Sequence, residues 1–177
     1  MALEERLKDR IHKKDIDEIV QMANGDKRVI DTLLTLMDDS DKRVSNNALW
    51  CIQHLLPSDF KTHIVPRKDT LIDTLLKTDD ASNRRMLLAL LRDMDFDKDE
   101  IRTDLLDFSL ENIVNLKWPV GTRALCIHLA TKLCTFYPEL CTELKTILGV
   151  MDNEGLQPGL ASAKKNALKK LHRLEAV

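Results

Sequence analysis

Two nearly identical phrases, "VIDTLLTLMDD" at Val29–Asp39 and "LIDTLLKTDD" at Leu71–Asp80, stand 42 positions apart in a chain of 177 residues. Each carries a wide apolar stripe: Val29, Ile30, Leu33, Leu34, Leu36 and Met37 in the first, Leu71, Ile72, Leu75 and Leu76 in the second. Apolar residues at i, i+1, i+4 and i+5 mark an amphipathic helix with a broad buried face. Each phrase ends in paired aspartates, Asp38–Asp39 and Asp79–Asp80, before a short polar turn. Ser40 or Asp41 in one copy, and Asp80 or Ser82 in the other, are placed to N-cap a second helix. The duplicated unit is therefore a helix pair.

Ala-Leu steps mark the expected second helices: Ala48–Leu49, Ala89–Leu90, Ala124–Leu125 and Ala167–Leu168, separated by 41, 35 and 43 residues. A small residue there lets the paired helix approach, and the leucine fills the core. The sequence predicts two short helices over Leu3–Asn24, stopped by Gly25. Helix pairs follow at Lys27–Asp38 with Lys42–Leu56, and Lys68–Thr78 with Asn83–Met94. They continue at Lys98–Leu116 with Val120–Phe136, and Glu139–Met151 with Ala161–Leu174. Pro119 and Pro138 fall where helices begin, a position that tolerates proline. Two longer connections are expected at Pro57–Asp69 and Gly149–Gly159, the second being the more mobile.

Helix pairs of this size cannot bury their apolar faces alone, but stacked side by side they share a continuous core. "DDSDKRVSNNALWCIQHL" resembles a HEAT unit: acidic turn, basic residue, Val44, then the Ala48–Leu49 step. "PVGTRALCIHLATKL" is similar, with Pro119, Val120, Arg123 and Ala124 in the corresponding places. The second unit departs from the pattern, Arg85 standing opposite Val44. The resemblance, closest to small bacterial HEAT-like proteins, implies an all-α chain, an α-α superhelix or short HEAT-like solenoid of about four to five helix pairs. It is read as one domain over residues 1–177, with capping helices at 1–25 and helical repeats at 26–177.

Composition agrees. Aromatic residues are only 4% of the chain, which disfavours strands, whereas Leu, Ala, Lys and Glu are helix formers. The formal net charge of −2 lacks the basic excess of a dedicated nucleic-acid binder. Cys51, Cys126, Cys134 and Cys141 show no paired C-x-x-C spacing and are expected to be buried in helices. No 18-residue apolar run and no apolar leader is present, so a cytoplasmic location away from membranes is expected.

No phosphate-cradling, nucleophile-elbow or H-E-x-x-H motif occurs, so neither catalysis nor a cofactor is expected. "DMDFDKDEIRTD" alternates Asp93, Asp95, Asp97 and Asp99 like a calcium loop. Yet Lys98 stands at the obligatory glycine and Asp104 at the terminal glutamate, and helix-entry charge is the better reading. Cys51-x-x-His54 and the group His128, Cys134 and Cys141 lack the spacing of a zinc site.

Arg43, Asn46, Trp50 and Gln53 form a polar row on the helix opposite Val44, Ala48, Ile52 and Leu55. A tryptophan there is either a binding anchor or a plug between repeats; Trp118 is read as a helix-junction staple. Lys165, Lys169 and Arg173 form a basic row on the last helix, read first as a solubilising cap and then as a contact for phosphates or an acidic partner. The expected function is noncatalytic binding of a protein or peptide on the concave face lined by the second helices, through Arg43, Asn46, Trp50, Gln53, Arg84, Arg123, Lys165 and Lys169. The alternative is a DNA-binding HEAT-like enzyme of the glycosylase type, with Trp50, Arg84, Arg85 and Arg123 in its groove, although Leu87, Leu91 and Leu129 share those rows. Self-association through a solenoid end is a third possibility.

Overall fold

A computed structural model describes residues 2–55, 57–151 and 155–175. Among the described residues the chain is all-α, with no strand. The helices are α1 (Leu3–Lys8), α2 (Lys13–Gly25), α3 (Arg28–Leu36), α4 (Lys42–Gln53), α5 (Pro57–Asp59), α6 (Lys68–Lys77), α7 (Ala81–Asp93), α8 (Thr103–Ile113), α9 (Val120–Cys134), α10 (Pro138–Gly149) and α11 (Pro158–Glu175). The chain forms two compact units, Met1–Leu90 and Leu91–Val177.

Local chemistry sets the helix ends. Asp41 caps α4 by accepting the Arg43 amide at 2.8 Å. Asp80 caps α7 by accepting the amides of Ser82 at 3.0 Å and Asn83 at 2.9 Å. Both satisfy donors that the first helical turn leaves open. Aspartates thus start the second helix in these two pairs, as the turn chemistry predicted.

The expected helix over Lys98–Leu116 is corrected. Lys98–Glu100 is a 3-10 turn, Ile101 and Arg102 are extended, and α8 begins at Thr103. Asp104 there pairs with Arg102 at 2.6 Å and accepts the Leu105 amide at 2.8 Å, fixing the new start. The Pro57–Asp69 connection is also corrected, because it is helical: α5, a π-helical turn Phe60–Ile64, a 3-10 turn Val65–Arg67, then α6. Ile64 is fully buried, and the buried Asp59 carboxylate is paired with Lys27. Burial of these two groups orders a stretch whose proline and polar residues suggest a loop. The predicted end of α4 at Leu56 lies outside the described residues. So do residues 152–154 within the Gly149–Gly159 connection.

Burial resets the repeat register. In α4 the buried positions are Val44, Ser45, Ala48, Leu49, Cys51 and Ile52. The same spacing recurs as Asn83, Arg84, Leu87, Leu88, Leu90 and Leu91 in α7, and as Thr122, Arg123, Cys126, Ile127, Leu129 and Ala130 in α9. Val44, Asn83 and Thr122 therefore stand 39 residues apart in succession. In α11 the set is Ala163, Lys164, Ala167 and Leu171, with Leu168 half-buried. Ala48 and Ala167 occupy the small core step, but Ala89 and Ala124 are only half-buried and lie outside it. Leu87 and Cys126 fill the equivalent place. Asn83 rather than Arg85 stands opposite Val44.

Candidate binding faces

The corrected register places a polar group at the second buried position of each inner helix: Ser45, Arg84, Arg123 and Lys164. The three cations act alike. Arg84 Nη2 donates to the Thr78 carbonyl, at the end of α6. Arg123 Nε donates to Ile113, the last residue of α8, at 2.8 Å. Lys164 Nζ donates to Met151, just past α10, at 2.8 Å. Carbonyls at a helix C-terminus lack partners within the helix and carry the negative end of its dipole. A buried cation in the second helix thus closes the first helix of the same pair.

Two of the expected contact residues, Arg84 and Arg123, are among these buried cations. Arg84 is 9% exposed and Arg123 8% exposed, and both spend hydrogen-bond donors inside their own pair. Sequence reasoning missed Lys164, Thr122 and Asn83 as members of the same buried ladder. The signal was present in the regular spacing of polar residues within apolar helices, but the Ala-Leu register obscured it.

The polar row of α4 is occupied from within the first unit. Arg43 Nη1 donates to the Lys8 carbonyl at 3.3 Å, at the end of α1. Asn46 Nδ2 donates to Asp80 Oδ1 at 3.2 Å, and Gln53 Nε2 donates to the Met86 carbonyl at 3.2 Å. Trp50 is half-buried among them, edge-on to His54 with ring centroids 6.3 Å apart. His54 Nδ1 donates to the Trp50 carbonyl at 2.9 Å, holding the imidazole in place. The row ties α4 to α1 and to α7. Trp118 is half-buried just before α9.

The Asp93–Asp99 stretch explains its own alternation. Met94 and Phe96 are buried while Asp93, Asp95, Asp97 and Asp99 are exposed. Lys132 Nζ donates to the carbonyls of Arg92, at 2.7 Å, and Met94, and lies 5.9 Å from the Phe96 ring centre. Desolvation lowers the Lys132 pKa, with Asp95 and Asp93 opposing that shift. Among the described residues, no three His, Cys, Asp or Glu side chains converge as metal ligands would. Burial pushes the Cys51 and Cys134 thiols up to about 12, far from the lowered values of reactive cysteines. His128 is lowered by desolvation and by Arg92.

The second unit carries a groove of about 790 Å³ along α11. Leu156, Ala161 and Leu168 supply apolar surface, with Lys164, Lys165, Lys169, His172 and Arg173 around it. Lys164 is buried and turned to Met151, so the exposed cations are Lys165, Lys169 and Arg173. Among the described residues none of these three has a carboxylate within salt-bridge distance. Elsewhere arginines and lysines are commonly paired, as in Arg6–Glu18, Arg28–Asp26, Arg67–Asp31 and Arg92–Asp93. Lys165 and Lys169 share the α11 groove of the second unit, and Arg43, Asn46, Trp50 and Gln53 share α4 of the first.

A family model described as a HEAT repeat domain matches residues 3–171. No curated protein and no solved structure matches the chain. Among the described residues, no helix is long and apolar enough to cross a membrane.

Proposed function

The chain belongs to the HEAT-repeat family, and from that premise we propose that it is a noncatalytic binding module holding a protein or peptide on the exposed faces of its second helices. The observation that carries this reading is the α11 groove, where apolar surface stands beside Lys165, Lys169 and Arg173, which have no carboxylate within salt-bridge distance among the described residues. Folding gains little from such an arrangement, since burial would favour covering Leu168 and Ala161, and charges in water add little stability. A binding surface combines the two features: apolar area for affinity, and charge for orientation and partner choice. The buried cation ladder supplies a rigid support, because Lys164 anchors α11 to the end of α10 while its neighbour Lys165 faces outward. Cysteine thiols kept inside helices fit the reducing cytoplasm, where we place the protein.

The test is affinity capture from the native cell followed by mass spectrometry, then reconstitution with each purified candidate. The reading requires a protein that binds the purified chain saturably and without chemical turnover. A small molecule converted by the purified chain, with no protein bound, would contradict it.

A further inference from the structure

The α11 groove specifies the kind of partner it fits, on the premise that the chain is a binding module. Pro158–Glu175 holds five Lys and Arg residues and one acid, Glu175, in a protein whose net charge is −2. This concentration of positive charge is local, and three of the five cations, Lys165, Lys169 and Arg173, are exposed along one groove. Lys165, Lys169 and Arg173 follow i, i+4, i+8 spacing, so successive cations rise by about 6 Å along one face. From Ala161 to Arg173 the lining extends about 18 Å, or roughly three helical turns. Leu168 and Ala161 lie beside the cations, and Leu156 supplies a further apolar wall.

We propose that this groove takes an acidic amphipathic helix of a partner protein, its apolar stripe against Leu156, Ala161 and Leu168 and its carboxylates against Lys165, Lys169 and Arg173. A partner helix has the same 1.5 Å rise as α11, so acids at i, i+4 and i+8 repeat at the spacing of the cations. Helices crossing at about 20° keep such a register over three turns. Helix-in-groove recognition uses apolar anchors at i, i+3 or i+4, and i+7, which the length of the lining accommodates. Single-stranded nucleic acid fits less well. The lining contains no Phe, Tyr or Trp on which bases would stack, and its apolar residues offer phosphates nothing.

The probe is a fluorescein-labelled synthetic helix of about sixteen residues, with leucines on one stripe and glutamates flanking them at i, i+4 and i+8. Its binding to the full chain is measured by anisotropy near physiological ionic strength, about 0.15 M. Saturable binding is expected, weakened at least about tenfold by Lys165→Glu/Lys169→Glu. It should weaken likewise when the peptide leucines become alanines. The charge-reversed protein should regain affinity for a peptide whose glutamates are replaced by lysines. Circular dichroism of the double variant checks that these exposed substitutions leave the helices intact. Absent binding, equal binding by the double variant, or indifference to peptide leucines each overturns the proposal. Tighter binding of single-stranded DNA or phosphatidylserine vesicles, lost in the same variant, overturns the assigned partner class. A cellular partner retained by Lys165→Glu/Lys169→Glu removes this groove but leaves the binding-module reading standing. Absence of any protein partner removes that reading itself.

Discussion

Asn83 in α7 donates its side-chain amide to the hydroxyl of Ser45 in α4, joining the second helices of two successive pairs through a buried hydrogen bond. Ser45 is 3% exposed and Asn83 4% exposed, so water cannot replace a missing partner. Ser45→Ala leaves the Asn83 amide without that acceptor and should cost about 1–3 kcal/mol. Adding Asn83→Leu removes the stranded group and should recover part of the loss. Urea unfolding of the two variants checks this. A double variant no more stable than Ser45→Ala would show that the bond is incidental.

The cation ladder gives a second expectation. Arg123→Ala removes a charge-assisted bond to the Ile113 carbonyl and the packing of a long stem, and should lower stability by about 2–3 kcal/mol. Arg85→Ala, one position after the buried Arg84 and exposed, should change it by less than about 0.5 kcal/mol. Chemical denaturation separates the two. Similar losses in both would place Arg85 in the core and restore the Ala-Leu register.

How far the sequence revealed the fold is clearest in that register. Ile30 and Ile72 are both fully buried, as are Leu33 and Leu75, so the duplicated phrase marked the first helices correctly. Those helices repeat at 42 residues, whereas the second helices repeat at 39. The turn Met37–Asp41 is longer than Thr78–Asp80, which absorbs part of the difference. Ala-Leu is too common a dipeptide to fix the second helix, and the buried Arg84 and Arg123 resembled surface cations because their acceptors are backbone carbonyls. Backbone acceptors leave no trace in side-chain identity. The basic row of α11 was legible; the apolar wall beside it at Leu156 came from a connection with no periodicity.

Asp80 predicts an acid dependence. Desolvation raises its pKa, but hydrogen bonds from the Asn83 amide, the Asn46 side chain and the Ser82 amide outweigh it and hold the carboxyl below its ordinary 3.8. A depressed folded value means the contribution is fully present above the unfolded pKa and lost as pH falls through the folded one. Asp80→Ala should therefore be less stable than the wild type at pH 6, by about 1 kcal/mol for a lost cap. The difference should shrink below pH 3.8. Parallel thermal melts across that range measure it, and a constant gap would contradict the assigned role.

The thiols supply a chemical check. With Cys51 and Cys134 raised to about 12 and all four cysteines buried, Ellman's reagent at pH 8 should react slowly with the native protein and promptly in denaturant. Rapid native labelling would place a cysteine in an open site.

Trp50 separates an anchor from a plug. Its neighbours Arg43, Asn46 and Gln53 are bonded within the first unit, so Trp50→Ala should cost about 2–4 kcal/mol of stability, the range of a partly buried large-to-small change. Thermal unfolding reads it directly. An unchanged Tm would return Trp50 to the set of binding anchors.

The cations divide into two sets: Arg84, Arg123 and Lys164 are bonded within their helix pairs, and Lys165, Lys169 and Arg173 are the ones proposed to meet the partner. Capture from native-cell extract by Lys165→Glu/Lys169→Glu, set against wild type with the Tm of both recorded, tests that division most directly. An unchanged Tm and loss of the captured protein are expected. Retention of that protein at an unchanged Tm would contradict it.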